Sequence, residues 1–206
     1  MYARSTTIRA RPESIDEGIS YLRDEVMPMI QQIDGCIGIS MLADRESGRC
    51  IATSAWQWME TMRASDEQLR SIRDRASEIM GGSPEIEEWE IAVLHRDHQM
   101  SDGGCARCSW AESAPEELDR AIDLFKMGIL PQAEQIDGFC SASLLVNRET
   151  GRAVATTSWD SREAMERSRE QGDQLRSSFT KETGASMVDV CEFEVALAHL
   201  HAPEMA

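Results

Sequence analysis

The chain has 206 residues, with 21 Lys and Arg against 37 Asp and Glu, and the resulting net charge of −16 is spread over both halves. Such acidity repels phosphate backbones and anionic lipid, which argues against nucleic acid and membrane surfaces as partners. No run approaches the roughly 18 apolar residues of a spanning helix, and six scattered cysteines are too few for a disulfide scaffold, so a cytoplasmic soluble protein is expected.

In chain order, residues 2–11 are rich in β-branched and alternating side chains and predict a strand. Pro12 suits the first turn of a helix, and Glu13, Asp16 and Glu17 suit its positive N-terminal end. Ile15, Ile19, Leu22, Val26 and Ile33 then fall at helical spacing, with Pro28 expected to kink that helix or split off its last turn, and Gly35 to stop it. Residues 36–45 and 49–57 read as a hairpin turned at Glu46-Ser47-Gly48, with Cys50, Ala52, Ser54 and Trp56 on one face of the return strand. A second helix is expected over 59–80, stopped at Gly81-Gly82, and a last strand over 86–96.

That order, β-α-β-β-α-β, then occurs again. From Pro28 to Met62, 16 of 35 positions recur unchanged 103 residues later. Both stretches carry Ile-Asp-Gly, Arg-Glu-x-Gly-Arg and Ala-Thr-x-x-Trp, so the chain is a tandem duplication. The second copy predicts strands at 105–113, 139–148, 151–160 and 188–200, a first helix opened by Pro115 and kinked at Pro131, and a second over 161–182. The expected organisation is a first repeat over 1–98, a polar linker over 99–104 and a second repeat over 105–206. The fold class expected is α+β, two ferredoxin-like repeats packed sheet to sheet as an internal pseudo-dimer, with further homodimerisation left open.

The helix-to-strand Ile-Asp-Gly and the strand-to-helix Trp-x-x-x-Glu-x-Met (Trp56, Glu60, Met62 and Trp159, Glu163, Met165) resemble the antibiotic biosynthesis monooxygenase-like family of dimeric α+β barrels. The resemblance covers nearly the whole chain, once per half. It implies an apolar pocket for a small aromatic or polyketide-type substrate, oxygenation without a cofactor, and a group that helps remove a proton. Haem-degrading relatives would place a ligating His on the second helix, and neither 59–80 nor 161–182 contains one.

His95 and His199 stand at equivalent places late in the last strands and are candidate catalytic bases, or else strand-end histidines bonded to backbone or solvent. Trp56 and Trp159 are candidate walls of a substrate pocket, or hydrophobic plugs between hairpin and helix. Arg4 and Arg107 match one another and could hold a phenolate or acidic ligand, or pair with neighbouring carboxylates. Cys105-Ala-Arg-Cys108 lacks the second pair or the histidines that zinc wants, and leads into a strand rather than a helix, so a structural role is expected. No metal-ligand cluster, phosphate loop or serine nucleophile motif is legible in the spacing, and no cofactor or metal is expected. A cofactor-free monooxygenase and a non-catalytic ligand-binding or stress-associated module are the two functional expectations.

Overall fold

The computed structural model describes residues 1–100 and 103–200. Among the described residues the eight antiparallel strands follow the expected β-α-β-β-α-β order twice, the helical regions being divided into eight α-helical segments, and the hydrogen-bonded strand order β1-β3-β2-β8-β5-β7-β6-β4 closes on itself as a barrel. The strands are β1 (Tyr2–Arg9), β2 (Cys36–Ala43), β3 (Arg49–Trp56), β4 (Pro84–Arg96), β5 (Cys105–Glu112), β6 (Phe139–Asn147), β7 (Arg152–Trp159) and β8 (Ser186–Leu200). Two compact units result: Met1–Trp89 with β8 from Val195 on, and Glu90–Glu194. The last strand of each repeat is thus shared, its first part with one unit and its later part with the other. Residues 101 and 102 of the expected linker, and 201–206 of the second repeat, lie outside the described residues. Among the described residues no helix is long and apolar enough to cross a membrane.

In the first unit, β3 lies between β1 and β2 with Ser54 opposite Arg4 and Ile39. The hairpin turns because Gly48 sits at φ 75°, its N–H donating to Asp44 O at 2.9 Å. A Cβ there would stand 2.2 Å from Ala10 O, so no other residue fits. Helix α1 (Ile15–Tyr21) does not run straight into α2 (Met27–Ile30): a π-helical turn, Leu22–Val26, separates them. Pro28 explains it. A proline ring collides with the carbonyl four residues back and donates nothing, and widening the preceding turn relieves both problems. The second unit repeats the device, with a π-helical turn at Phe125–Ile129 between α5 (Leu118–Leu124) and α6 (Leu130–Ala133), ahead of Pro131.

The second helix of each repeat departs from expectation. It is broken into α3 (Met59–Ala64) and α4 (Asp66–Met80), and into α7 (Arg162–Arg167) and α8 (Arg169–Thr183). The break falls on a buried serine, Ser65 or Ser168, whose hydroxyl donates to the carbonyl three residues back at 2.7 and 2.6 Å. That local bond competes with the helical ladder, and it turns the chain at the point where the helix meets the arginine of the first strand. Each unit has its own apolar core, around Ile15, Ile39, Met41, Trp56 and Met62 in the first and Leu118, Phe125, Leu144, Trp159 and Met165 in the second.

Candidate functional site

Each unit holds a cavity between its helices and its sheet. Strand alternation builds the sheet side: Cys50, Ala52 and Ser54 of β3 line the first, and Ala153, Ala155, Thr157 and Trp159 of β7 line the second, the faces expected from the sequence. Small side chains on the strands leave the space, and Leu22, Val26 and Ile30 or Phe125, Ile129 and Ala133 close it from the kinked helices. The volumes are about 80 and 90 Å³, several times what one water requires.

The charged side chains in each wall are a pair of arginines. Arg4 and Arg73 line the first cavity, and their counterparts Arg107 and Arg176 line the second. Arg107 is fully committed. Its Nε and Nη2 donate to Glu192 Oε1 at 3.0 and 2.7 Å, Nη1 donates to Ser168 Oγ at 2.9 Å, and Nη2 also reaches Met165 O at 2.8 Å. Arg4, 3 % exposed, donates from Nη2 to Glu88 Oε1 at 2.9 Å, but its buried Nε and Nη1 have no hydrogen-bond acceptor. The nearest further carboxylate, Asp66, lies 3.6 Å from Nη1 and is taken at 2.6 Å by Arg73.

Two exchanges between the copies accompany the difference, Asp66 for Arg169 and Arg63 for Glu166. Asp66 on α4 corresponds to Arg169 on α8, which donates to Glu192 at 2.9 Å. In the first unit the second arginine on the bridging carboxylate comes instead from α3, where Arg63 Nε donates to Glu88 at 3.0 Å. Burial works to raise the pKa of Glu88, yet the hydrogen bonds from Arg4 and Arg63 outweigh it and hold the carboxyl below its ordinary value. Glu88 is therefore ionised at neutral pH, and its stabilising contribution is lost only as pH falls through that lowered value.

Trp159 lines the second cavity, with its Nε1 donating to Thr157 Oγ1 at 3.2 Å and its ring edge-on to Phe139. Trp56, fully buried, stands behind Ser54, to whose hydroxyl its Nε1 donates at 2.9 Å. The structure therefore gathers Arg4 with Ser54, and Arg107 with Thr157 and Trp159. It does not bring the histidines to them. His95 on β4 lies 2.6 Å from Glu134 through Nε2 and stacks on Phe139 with centroids 6.4 Å apart, and it lines neither cavity. His199 on β8 is half-buried and lines neither. Both sit on the shared strands, β4 and β8, whereas the cavity faces belong to the first strand and the hairpin. Cys105 and Cys108 are buried thiols on β5 that form no disulfide. Sequence reading missed Arg73 and Arg176, although their constant offset of 103 was available as a signal.

The fold is that of the antibiotic biosynthesis monooxygenase-like α+β barrels. A proposed monooxygenase from Lactobacillus acidophilus superposes with a TM-score of 0.70 at 11 % identity, covering 97 % of this chain and 96 % of that one. An anthrone oxidase-like protein gives 0.66 at 14 %, covering 99 % and 93 %. A ferredoxin-fold protein related to antibiotic biosynthesis monooxygenases, from Listeria monocytogenes, gives 0.53 at 10 %, covering 95 % of each. Identities this low speak to fold alone. No protein-family model matches the chain. By sequence it is 54 % identical to the uncharacterised protein Rv2557 of Mycobacterium tuberculosis, over 100 % of this chain and 92 % of that protein. It is 52 % identical to the uncharacterised protein Rv2558 of the same organism, over 100 % and 87 %. The chain belongs to the family of these two mycobacterial proteins.

Proposed function

We propose that the protein is a cofactor-independent monooxygenase-like enzyme whose first-unit cavity takes a small aromatic or polyketide-type substrate as its phenolate or enolate. The observation that carries this reading is Arg4: a buried guanidinium in an apolar wall, with two nitrogens lacking acceptors. Buried polar groups ordinarily find partners, and one left open beside a cavity suits an anionic oxygen brought by a ligand. The likeness in fold to proposed monooxygenases and to an anthrone oxidase-like protein supports the reaction class.

The chemistry asked of the protein is modest. Contact with Arg4 favours the ionised substrate over the neutral phenol, releasing the proton to solvent. The electron-rich anion then reacts with O₂, and an aryl CH₂ becomes C=O as the second oxygen atom takes back one proton from solvent and leaves as water, which balances atoms, charge and electrons. Ser54 supplies a hydroxyl at the same wall, and the apolar helices exclude water from the anion. His95 and His199 are not needed as bases in this scheme.

Oxygen consumption with an anthrone-type substrate tests it. Arg4→Gln is expected to lower kcat/KM by about 10²-fold, the usual cost of one preorganised charge-stabilising donor. Arg107→Gln variants that remain folded, and His95→Gln with His199→Gln, are expected to retain turnover. Unchanged activity in Arg4→Gln, or its loss in the double histidine variant, would remove the assignment.

A further inference from the structure

The second unit gathers a set of donor groups that are not among the residues lining its cavity and that the proposed oxygenation does not use. We propose that His98, Cys140 and Asp160 bind one zinc-type divalent ion and leave a fourth coordination position open to solvent. Their donor atoms all lie within 4.8 Å of one another. Cys140 Sγ is 3.5 Å from His98 Nε2 and 3.3 Å from Asp160 Oδ1, and His98 Nε2 is 3.1 Å from Asp160 Oδ2. Donors held tetrahedrally around zinc, at its ordinary bond lengths, stand roughly 3.3–3.7 Å apart, so small side-chain adjustments suffice. One imidazole, one thiolate and one carboxylate form a mixed donor set that suits zinc better than calcium or magnesium, which take oxygen alone.

Three features show that the set is built rather than accidental. Cys140 is the extra residue of a β-bulge: Phe139 pairs with Trp159 and Ser141 with Ser158, leaving Cys140 unpaired between them. A bulge re-aims the side chain it carries, and this one, 1 % exposed, is turned onto Asp160. The Asp97 carboxylate lies 2.8 Å from His98 Nδ1. A hydrogen bond donated there by Nδ1–H fixes the tautomer that leaves Nε2 as the ligand, the arrangement usual behind zinc-bound histidines. Finally, the backbone ties the elements together. Asp97 N and His98 N donate to Cys140 O at 2.9 and 3.3 Å, and Asp160 N donates to Gly138 O at 2.9 Å.

The duplication supplies a control. The first copy has the same bulge, between Cys36 and Gly38, but its bulged residue is Ile37, and Gln57 stands where Asp160 does. The site is therefore an acquisition of one repeat on a backbone that both share. Without metal the Cys140 thiol keeps its proton, since burial and the neighbouring Asp160 push its pKa up to about 12. Metal binding replaces that S–H bond with a sulfur–metal bond and releases the proton to solvent. The exposed His98 edge leaves room for water or a small ligand at the fourth position.

Cobalt(II), read as a zinc surrogate, tests the proposal on the full chain after chelator treatment and desalting. A thiolate-to-cobalt charge-transfer band is expected, saturating at one equivalent, bleached by zinc and absent from Cys140→Ser. Because a core substitution can perturb folding, two exposed variants are read beside it. Asp97→Asn is expected to weaken binding by about 10–100-fold through loss of orientation, and His98→Ala to weaken it further. No band in the wild type, a band that survives Cys140→Ser, or wild-type affinity in His98→Ala would each overturn the site and leave the three groups as a protonated histidine–carboxylate network.

Discussion

Replacing Arg107 with Met is expected to destabilise the second unit by about 3 kcal/mol, whereas Arg4→Met should cost the first about 1 kcal/mol or less. The two arginines occupy equivalent positions, both 3 % exposed, so burial alone would predict equal effects. Their bonding differs. Arg107 loses contacts to Glu192, Ser168 and Met165 O at once, two of them charge-assisted bonds to one carboxylate oxygen. Arg4 loses one good bond to Glu88, which keeps Arg63, and its removal also relieves two buried donors that have no acceptor. For a chain of this length the first substitution lowers the melting temperature by roughly 6–12 °C and the second by roughly 2–4 °C. Calorimetric scans of the two variants check it, and equal shifts would mean that the guanidinium of Arg4 is as fully satisfied as that of Arg107.

Trp56→Ala carries the other large effect. The indole is completely buried against the first core, and its Nε1 is satisfied by Ser54. Truncation removes the transfer energy of a large aromatic and leaves a void between the hairpin and α3, a loss of about 3–5 kcal/mol. A tryptophan whose main duty was stacking on a substrate would be partly open in the ligand-free protein and would cost far less to remove. Denaturant midpoints separate the two roles. A loss under about 1 kcal/mol would place Trp56 in a ligand wall rather than in the core.

Much of the fold was legible because it rests on local rules. Pro28 and Pro131 forbid a straight helix whatever lies around them, Gly48 and Gly151 mark hairpins by their need for positive φ, and alternation along residues 50–56 puts Ser54 and its neighbours on one face. The repeat then doubled every such signal. The break at Ser65 and Ser168 escaped detection because both flanking segments keep helical periodicity, and only burial of the hydroxyl favours its bond to the preceding turn.

The site was legible in kind and not in detail. The matched pair Arg4 and Arg107 singled out strand positions that line the two cavities, but whether each is satisfied depends on partners 58 to 85 residues away. The histidines were favoured because they recur in both copies; no periodicity argument could show that the strands carrying them are shared between units. His98, Cys140 and Asp160 carry no motif spacing, since the bulge and a loop, not a sequence interval, bring them together.

The central claim is that duplication left one cavity with an anion-seeking guanidinium and the other with its arginine fully hydrogen-bonded. Titrating 4-nitrophenol with the protein at a pH just below the phenol's own pKa tests it most directly, because the phenolate absorbs visibly and the neutral phenol does not. The expected result is a rise in the phenolate band that saturates at one equivalent per chain, vanishes in Arg4→Gln and persists in Arg107→Gln. Binding of the neutral phenol, or a phenolate signal that Arg4→Gln leaves intact, would contradict it.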